Sequence, residues 1–234
     1  MLPVAILAGG LATRLRPLTE TIPKAMVQAS GEPFAFHQLR LLRRRGIEQA
    51  VFCLGYRGEQ VVAAVGDGAR FGLQVRYSFD GPALLGTAGA LKLAAPLLGK
   101  DFFVLYGDSF LDIDYAAVER AYRQAGKPAL MAVFHNDRQW DTSNVEFAGG
   151  RIIAYSKAHR TARMRHIDYG LGVLASGAVD AVPSDRPTDL ATIYEQLAAS
   201  GDLAAFEVSQ RFYEVGSFAG LAQFEDYLKK AEPR

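Results

Sequence analysis

The chain has 234 residues, half of them hydrophobic, and its 26 Lys and Arg nearly cancel 25 Asp and Glu to leave a formal net charge of +1. That size buries roughly 70% of the surface exposed on unfolding, so one domain can fold around its own core without disulfides or structural metal. The charge balance argues against a nucleic-acid binder, the lone Cys53 against a disulfide framework or thiolate metal cluster, and the short apolar runs against a spanning helix of ~20 residues.

Met1 leads straight into strand-like sequence without a charged leader, so a reducing, cytoplasmic setting away from membranes is expected. Five apolar runs, 2–7, 50–54, 73–77, 102–106 and 130–134, are rich in Val, Ile, Phe and Tyr and bounded by Gly, Asp or Asn, which predicts buried strands. Between them the segments 36–45, 59–65, 88–98 and 115–125 space apolar residues three or four apart. They end near Gly46, Gly66, Gly99 and Gly126, as helices do at their C-caps. Strand and helix in alternation require crossover connections, hence a mostly parallel sheet with helices on both faces and ligands at the carboxyl ends of the strands.

From residue 144 the pattern changes. Segments 144–147 and 151–156 flank a Gly149-Gly150 turn and predict a β-hairpin. A further strand over 167–174, helices over 190–199 and 218–229, and a strand over 203–208 complete the chain. The whole reads as one α/β domain with a small β-rich insertion. No repeat, linker or low-complexity tract interrupts it.

The first strand runs into Ala8-Gly9-Gly10, then Thr13-Arg14 and Pro23-Lys24. Paired glycines let backbone N–H groups approach an anion, Thr13 adds a hydroxyl, and Arg14 and Lys24 add cations, a set suited to a polyphosphate. No Walker A loop is present, because Gly99-Lys100 leads into Asp101, and Gly170-Leu171-Gly172 lies within a strand pattern instead of opening a helix. The fourth strand ends in Gly107-Asp108, which sets a carboxylate at the sheet's carboxyl edge, where magnesium takes one or two acids together with substrate phosphates. Glu214, in the strand-like run 212–217 with its Gly-Ser exit, is the candidate partner acid. Each signal alone has a plainer reading: Gly9-Gly10 as a tight turn, Asp108 as a turn or cap, Lys157 and Glu214 as surface ion-pair residues, Thr87 as a helix N-cap. Arg40 and Arg43 to Arg45 read as a solvated helix face, and the four histidines lack metal-ligand spacing.

Taken together, the opening L-A-G-G-x-x-T-R-L-R-P-L with P-K, the G-D after the fourth strand and the late acid-x-Gly-Ser resemble the sugar-1-phosphate nucleotidyltransferases over nearly the whole chain. The resemblance implies a Rossmann-like three-layer sandwich of GT-A type, with a nucleotide-binding half over about 1–135 and a sugar-binding half over about 136–234. It implies condensation of an NTP with a sugar 1-phosphate, release of pyrophosphate, and Mg2+ as cofactor. By the same resemblance Leu7, Ala8, Gly9, Gly10 and Thr13 form the nucleotide loop, Arg14 grips the departing pyrophosphate, and Lys24 meets the α-phosphate. Gly86 and Thr87 meet the base, Lys157 receives the sugar phosphate, and Asp168 and Gly170 line the sugar site, with Asp189 in the segment that follows. Asp108 and Glu214 become the magnesium pair, the family commonly having Asp where this chain has Glu214.

The T-A-G form of residues 87–89 resembles the guanylyl more than the thymidylyl transferases of that family, and the short layout resembles stand-alone guanylyltransferases acting on mannose or heptose 1-phosphate, so the resemblance implies GTP and a sugar of that type. Three alternatives stay open: a uridylyl or other transferase acting, for example, on an N-acetylated amino-sugar 1-phosphate; a glycosyltransferase using Asp112-Ile113-Asp114; and a silent regulatory subunit that senses nucleotide sugar. A homodimer is the default among symmetric assemblies.

Overall fold

A computed structural model describes residues 1–136 and 139–231. Nine strands make its main sheet: β1 (Val4–Leu7), β2 (Gln49–Leu54), β3 (Gln74–Phe79), β4 (Asp101–Tyr106), β5 (Ala129–His135), β6 (Val145–Ala148), β7 (Arg151–Tyr155), β8 (His166–Ala175) and β9 (Leu203–Val208). The order is β7-β6-β8-β4-β1-β2-β3, and β5 pairs with both β8 and β9. β1 runs parallel to β4 and β2, β3 parallel to β2, and β9 parallel to β5. β8 runs against β4 and β5, so the sheet is mixed but mostly parallel, as the alternating pattern requires.

Six helices cover it: α1 (Phe34–Arg44), α2 (Gly58–Val65), α3 (Gly86–Leu98), α4 (Tyr115–Ala125), α5 (Leu190–Ser200) and α6 (Phe218–Ala231). Successive strand side chains point to opposite faces, so an all-apolar strand feeds two cores. Ile6, Phe52 and Leu105 meet Leu39 and Leu42 of α1, Val61 of α2 and Val118 of α4 on one face. Their neighbours Ala5, Val51 and Val104 meet Ala88, Leu91 and Ala94 of α3 and Tyr194 of α5 on the other. A third cluster ties α6 down, with the Phe224 ring 5.2 Å from Phe34 of α1 and 4.9 Å from Phe110. Each such buried side chain contributes roughly 1.5–3 kcal/mol of transfer free energy. Among the described residues no helix is long and apolar enough to cross a membrane.

The glycine stops at Gly46, Gly66, Gly99 and Gly126 all have positive φ, as a C-cap requires. Two short ribbons are additions to the expected list: Ser109–Phe110 with Tyr213–Glu214, and Gln28–Ala29 with Glu32–Pro33. At two residues a strand has no alternation to betray it. Both acids of Asp112-Ile113-Asp114 serve the fold: Asp112 accepts from Arg45 Nε at 2.8 Å, and Asp114 N-caps α4 by accepting from Ala117 N at 3.0 Å.

Candidate active site

The register of the sheet brings four turns to one edge. Leu7 pairs with Tyr106 on one side and Cys53 on the other, and Leu54 pairs with Phe79. The residues that follow these strands, Ala8 to Gly10, Gly107-Asp108, Gly55 and Asp80, therefore leave the sheet side by side. Backbone bonds knit them: Ala8 N to Cys53 O at 2.9 Å, Gly107 N to Leu7 O at 2.9 Å, and Tyr56 N to Gly9 O at 3.2 Å. Glycine is required by that closeness, since a Cβ on Gly107 would lie 2.7 Å from Leu7 O, whereas one on Gly10 would meet open space.

A cavity of about 230 Å³ opens beside these turns, with Leu7, Ala8, Gly9 and Gly10 along one stretch and Lys24 and Asp108 nearby. Asp80, Leu84, Gly86 and Thr87 line the rest. The loop ahead of α3 is clamped to residue 188 by two backbone bonds, Thr188 N to Leu85 O at 2.8 Å and Ala88 N to Thr188 O at 2.9 Å. Thr87 does not cap its own helix; its hydroxyl accepts from Leu190 N at 2.6 Å and donates to Asp189 Oδ1 at 3.3 Å, at the start of α5. Gly86 has φ +73°, and a Cβ there would fall 2.5 Å from Thr188 O. Gly86→Ala should therefore destabilise the protein by about 2 kcal/mol or more, read as a Tm lower by roughly 5 °C; an unchanged melting curve would contradict this clamp.

A second cavity of about 320 Å³ lies across Tyr106 and Asp108, which border both. Arg14, Lys157, Asp168, Gly170 and Glu214 line it. Glu214 is carried there by its two-residue strand, which sets it opposite Ser109, while Val215 N donates to Asp108 O at 2.9 Å. Lys24 Nζ donates to Asp108 Oδ2 at 2.7 Å. A Cβ on Gly216 would stand 3.0 Å from a terminal Arg14 nitrogen, 3.5 Å from Asp108 Oδ2 and 3.5 Å from Glu214 Oε1. One guanidinium and two carboxylates thus face a single cradle that a glycine keeps clear. Burial, and next the Asp108 carboxylate, push the Glu214 carboxyl above the usual range against the opposing pull of Arg14 and Lys24. From below, Gln38 Nε2 of α1 donates to Tyr106 O at 3.2 Å and Ser109 O at 2.8 Å, bracketing Asp108.

On the far wall Lys157 Nζ sits 3.2 Å from Asp189 Oδ1 and 5.8 Å from the Tyr106 ring centroid. Asp189 N-caps α5 through Ala191 N at 2.8 Å; burial would raise its carboxyl, but that N–H and Lys157 outweigh burial and hold it low. Asp168 is pushed up by burial, in part offset by Gly170 N donating to its Oδ1 at 3.0 Å. Gly170, at φ +89°, lies where the pairing of β8 shifts register.

Thirteen of the fourteen site residues singled out from sequence line one or both cavities. Thr13 does not: it is exposed in the turn Thr13–Leu15, whose anchor is the buried Leu15, and it borders neither. Arg14, expected on the nucleotide side, borders the second cavity instead. Asp80, Tyr106, Asn144 and Arg160 also line these spaces and were missed by motif and spacing. Cys53 borders the first cavity, yet burial, aided by the Asp80 charge, pushes its thiol up to about 12. It should accordingly ignore a thiol reagent at pH 8 in the folded protein and react fully after denaturation; rapid labelling of the native protein would contradict its burial.

Among the described residues no group of three or more His, Cys, Asp or Glu could hold a metal. His37 and His166 are instead engaged by Ala29 O at 2.9 Å and Glu207 Oε1 at 3.0 Å. The two carboxylate oxygens at the Gly216 cradle are hard donors, two in number, and Asp108 shares a cavity with the Gly9-Gly10 turn, a set that fits magnesium.

Sheet order, crossover helices and paired cavities at the carboxyl edge define an α/β nucleotidyltransferase fold. The chain belongs to the nucleotidyl transferase family, whose model matches residues 4–144. It is 30% identical over 213 residues to a UTP–glucose-1-phosphate uridylyltransferase of Synechocystis sp., covering 84% of this chain and 55% of that protein. It is 31% identical over 257 residues to a mannose-1-phosphate guanyltransferase of Candida albicans, covering 97% of this chain and 66% of that protein. The chain therefore spans 55% to 66% of the length of these curated relatives. In structure it is similar to HddC from Yersinia pseudotuberculosis, solved in complex with GMP-PN, at a TM-score of 0.80 and 22% identity over 97% of this chain and 100% of that one.

Proposed function

We propose that this chain transfers a nucleotidyl group from an NTP, GTP by preference, to a sugar 1-phosphate of the mannose or heptose type, releasing pyrophosphate. The observation that carries this reading is the shared wall: Asp108 and Tyr106 border both cavities, so a nucleotide in the first and a sugar phosphate in the second would meet at Asp108. The guanyltransferase relatives support the choice of base and sugar, and the uridylyltransferase relative supplies the alternative.

In this reading the Gly9-Gly10 turn turns backbone N–H groups towards the triphosphate, and Lys24, 2.7 Å from Asp108, lies where the α-phosphate arrives. Lys157 holds the attacking sugar phosphate, released from Asp189 as the new anion takes its place. Arg14 offsets the charge growing on pyrophosphate. Asp108 and Glu214 would hold magnesium, which when bound neutralises phosphate charge and polarises the phosphorus centre. Since both reactants are anions, the chain's work is to orient them in line and to lower their repulsion. No covalent intermediate on the protein is needed.

The test is a pyrophosphate-release panel of GTP, UTP, CTP, dTTP and ATP against mannose, heptose, glucose and N-acetylated sugar 1-phosphates with magnesium. GTP with a mannose or heptose 1-phosphate should turn over fastest. Release with no pairing would sink the reading, and faster turnover of UTP with an amino-sugar phosphate would move the chain to the uridylyl branch.

A further inference from the structure

Between the two cavities stands a carboxylate to which the mechanism above gives only a waiting role. Asp189 Oδ1 accepts from three donors: Ala191 N at 2.8 Å, Lys157 Nζ at 3.2 Å and the Thr87 hydroxyl at 3.3 Å. Thr87 lines the first cavity and Lys157 the second. One oxygen therefore joins the wall of one cavity to the cation of the other. Its mounting on the Thr87 side is firm. Thr188 is bonded through its backbone to Leu85 and Ala88, Leu190 N donates to the Thr87 hydroxyl at 2.6 Å, and Lys92 Nζ of α3 donates to Asp180 O at 3.0 Å and Val182 O at 2.6 Å. Lys157 is the loose member of the group, 41% exposed and two residues beyond the end of β7.

Three donors compete for one acceptor with about two lone-pair directions, so each weakens the others. The Thr87 contact shows it, being longer at 3.3 Å than the roughly 2.7–2.8 Å usual between a hydroxyl and an oxygen. An anion that draws the Lys157 ammonium away leaves the full Asp189 charge to Ala191 N and the Thr87 hydroxyl. The Thr87 bond then has room to shorten, and the 86–87 wall of the first cavity stiffens. We propose that Asp189 is a positioning residue that couples the two cavities: a sugar phosphate frees it from Lys157, and the freed carboxylate tightens the hold on the nucleotide through Thr87. By linkage the nucleotide strengthens the hold on the sugar phosphate to the same degree. The proposal rests on the nucleotidyl-transfer reading and adds communication between its two substrates.

The plainer role of Asp189 is to cap α5. Asp189→Asn separates the two, because Asn caps a helix as well as Asp does and keeps an oxygen for Ala191 N, but it lacks the charge that holds Lys157. Calorimetry should measure the Kd of a GTP analogue bridged by methylene between its α and β phosphorus atoms, with magnesium, alone and at saturating mannose 1-phosphate. Direct repulsion between the two anions is common to wild type and variant, so comparing the ratio of the two Kd values between the proteins isolates Asp189. The wild-type ratio should favour joint binding by about fivefold more than the variant ratio, the lower end of usual coupling, as suits a half-exposed pair. In Lys157→Met, where the pair is already broken, adding Asp189→Asn should change the ratio no further. Equal ratios in wild type and Asp189→Asn, whether or not Tm falls, would overturn the proposal alone and leave Asp189 as a cap. Failure of either ligand to bind the wild-type protein would strike the transfer reading as well.

Discussion

Asp108→Asn should cut pyrophosphate release by about a hundredfold or more, the largest loss expected from any single substitution in this chain. The change keeps the shape of the side chain and removes only its charge. What holds the loop in place is backbone: Gly107 N to Leu7 O and Val215 N to Asp108 O survive it, as does the Gln38 bracket on either side. What is lost is the acid that receives Lys24 at 2.7 Å and shares the Gly216 cradle with Glu214. The two carboxylates together fit magnesium, and neutralising one should also raise the magnesium concentration needed for half-maximal rate. Steady-state rates over a magnesium titration, with Tm as the folding control, check this. Wild-type turnover in the variant would remove Asp108 from the chemistry.

Arg14→Ala should be nearly as costly in rate, about a hundredfold, and cheaper in stability. Among the described residues no hydrogen bond or ion pair holds the Arg14 guanidinium; it rests by Gly216 beside two carboxylates and is exposed overall. Removing a side chain with so few attachments should leave Tm within about 1 °C. Because the proposed role of Arg14 is on the leaving group, the reverse reaction offers the sharper readout: KM for pyrophosphate should rise along with the fall in kcat. Arg14→Lys should recover only part of the rate, because an ammonium cannot present the planar fork that matches phosphate oxygens. An unchanged KM for pyrophosphate would detach Arg14 from that end of the triphosphate.

Where sequence reasoning succeeded and where it stopped have physical reasons. The strand ends at Leu7 and Tyr106 were visible because their residues are apolar on both faces and a glycine follows within two residues, so the turn at Gly9-Gly10 and the acid at Asp108 stood out. The same reasoning applies to Asp80 but had nothing to grip. β3 alternates instead of running apolar, and its last residue, Phe79, is 45% exposed, so the strand seemed to end at residue 77 and Asp80 to belong to a loop. Glu214 was legible through its Gly-Ser exit even though its strand has only two residues. Asn144 and Arg160 were not, because their place in the second cavity follows from the β6–β7 hairpin folding back towards β8, a pairing between distant segments that local spacing does not encode. Thr87 shows a different limit: its hydroxyl serves the start of α5, about a hundred residues away, and only the folded chain reveals that partner.

All of these assignments depend on two cavities meeting at Asp108, with the Gly9-Gly10 turn on one side and Lys157 on the other. A crystal structure with a non-hydrolysable GTP analogue and magnesium tests that most directly. The account expects the base beside Asp80 and Thr87, the phosphates along Gly9-Gly10, and the α-phosphate within reach of Lys24, Asp108 and Arg14. A triphosphate bound elsewhere, or one leaving Arg14 and Asp108 on opposite sides of it and out of contact, would contradict it.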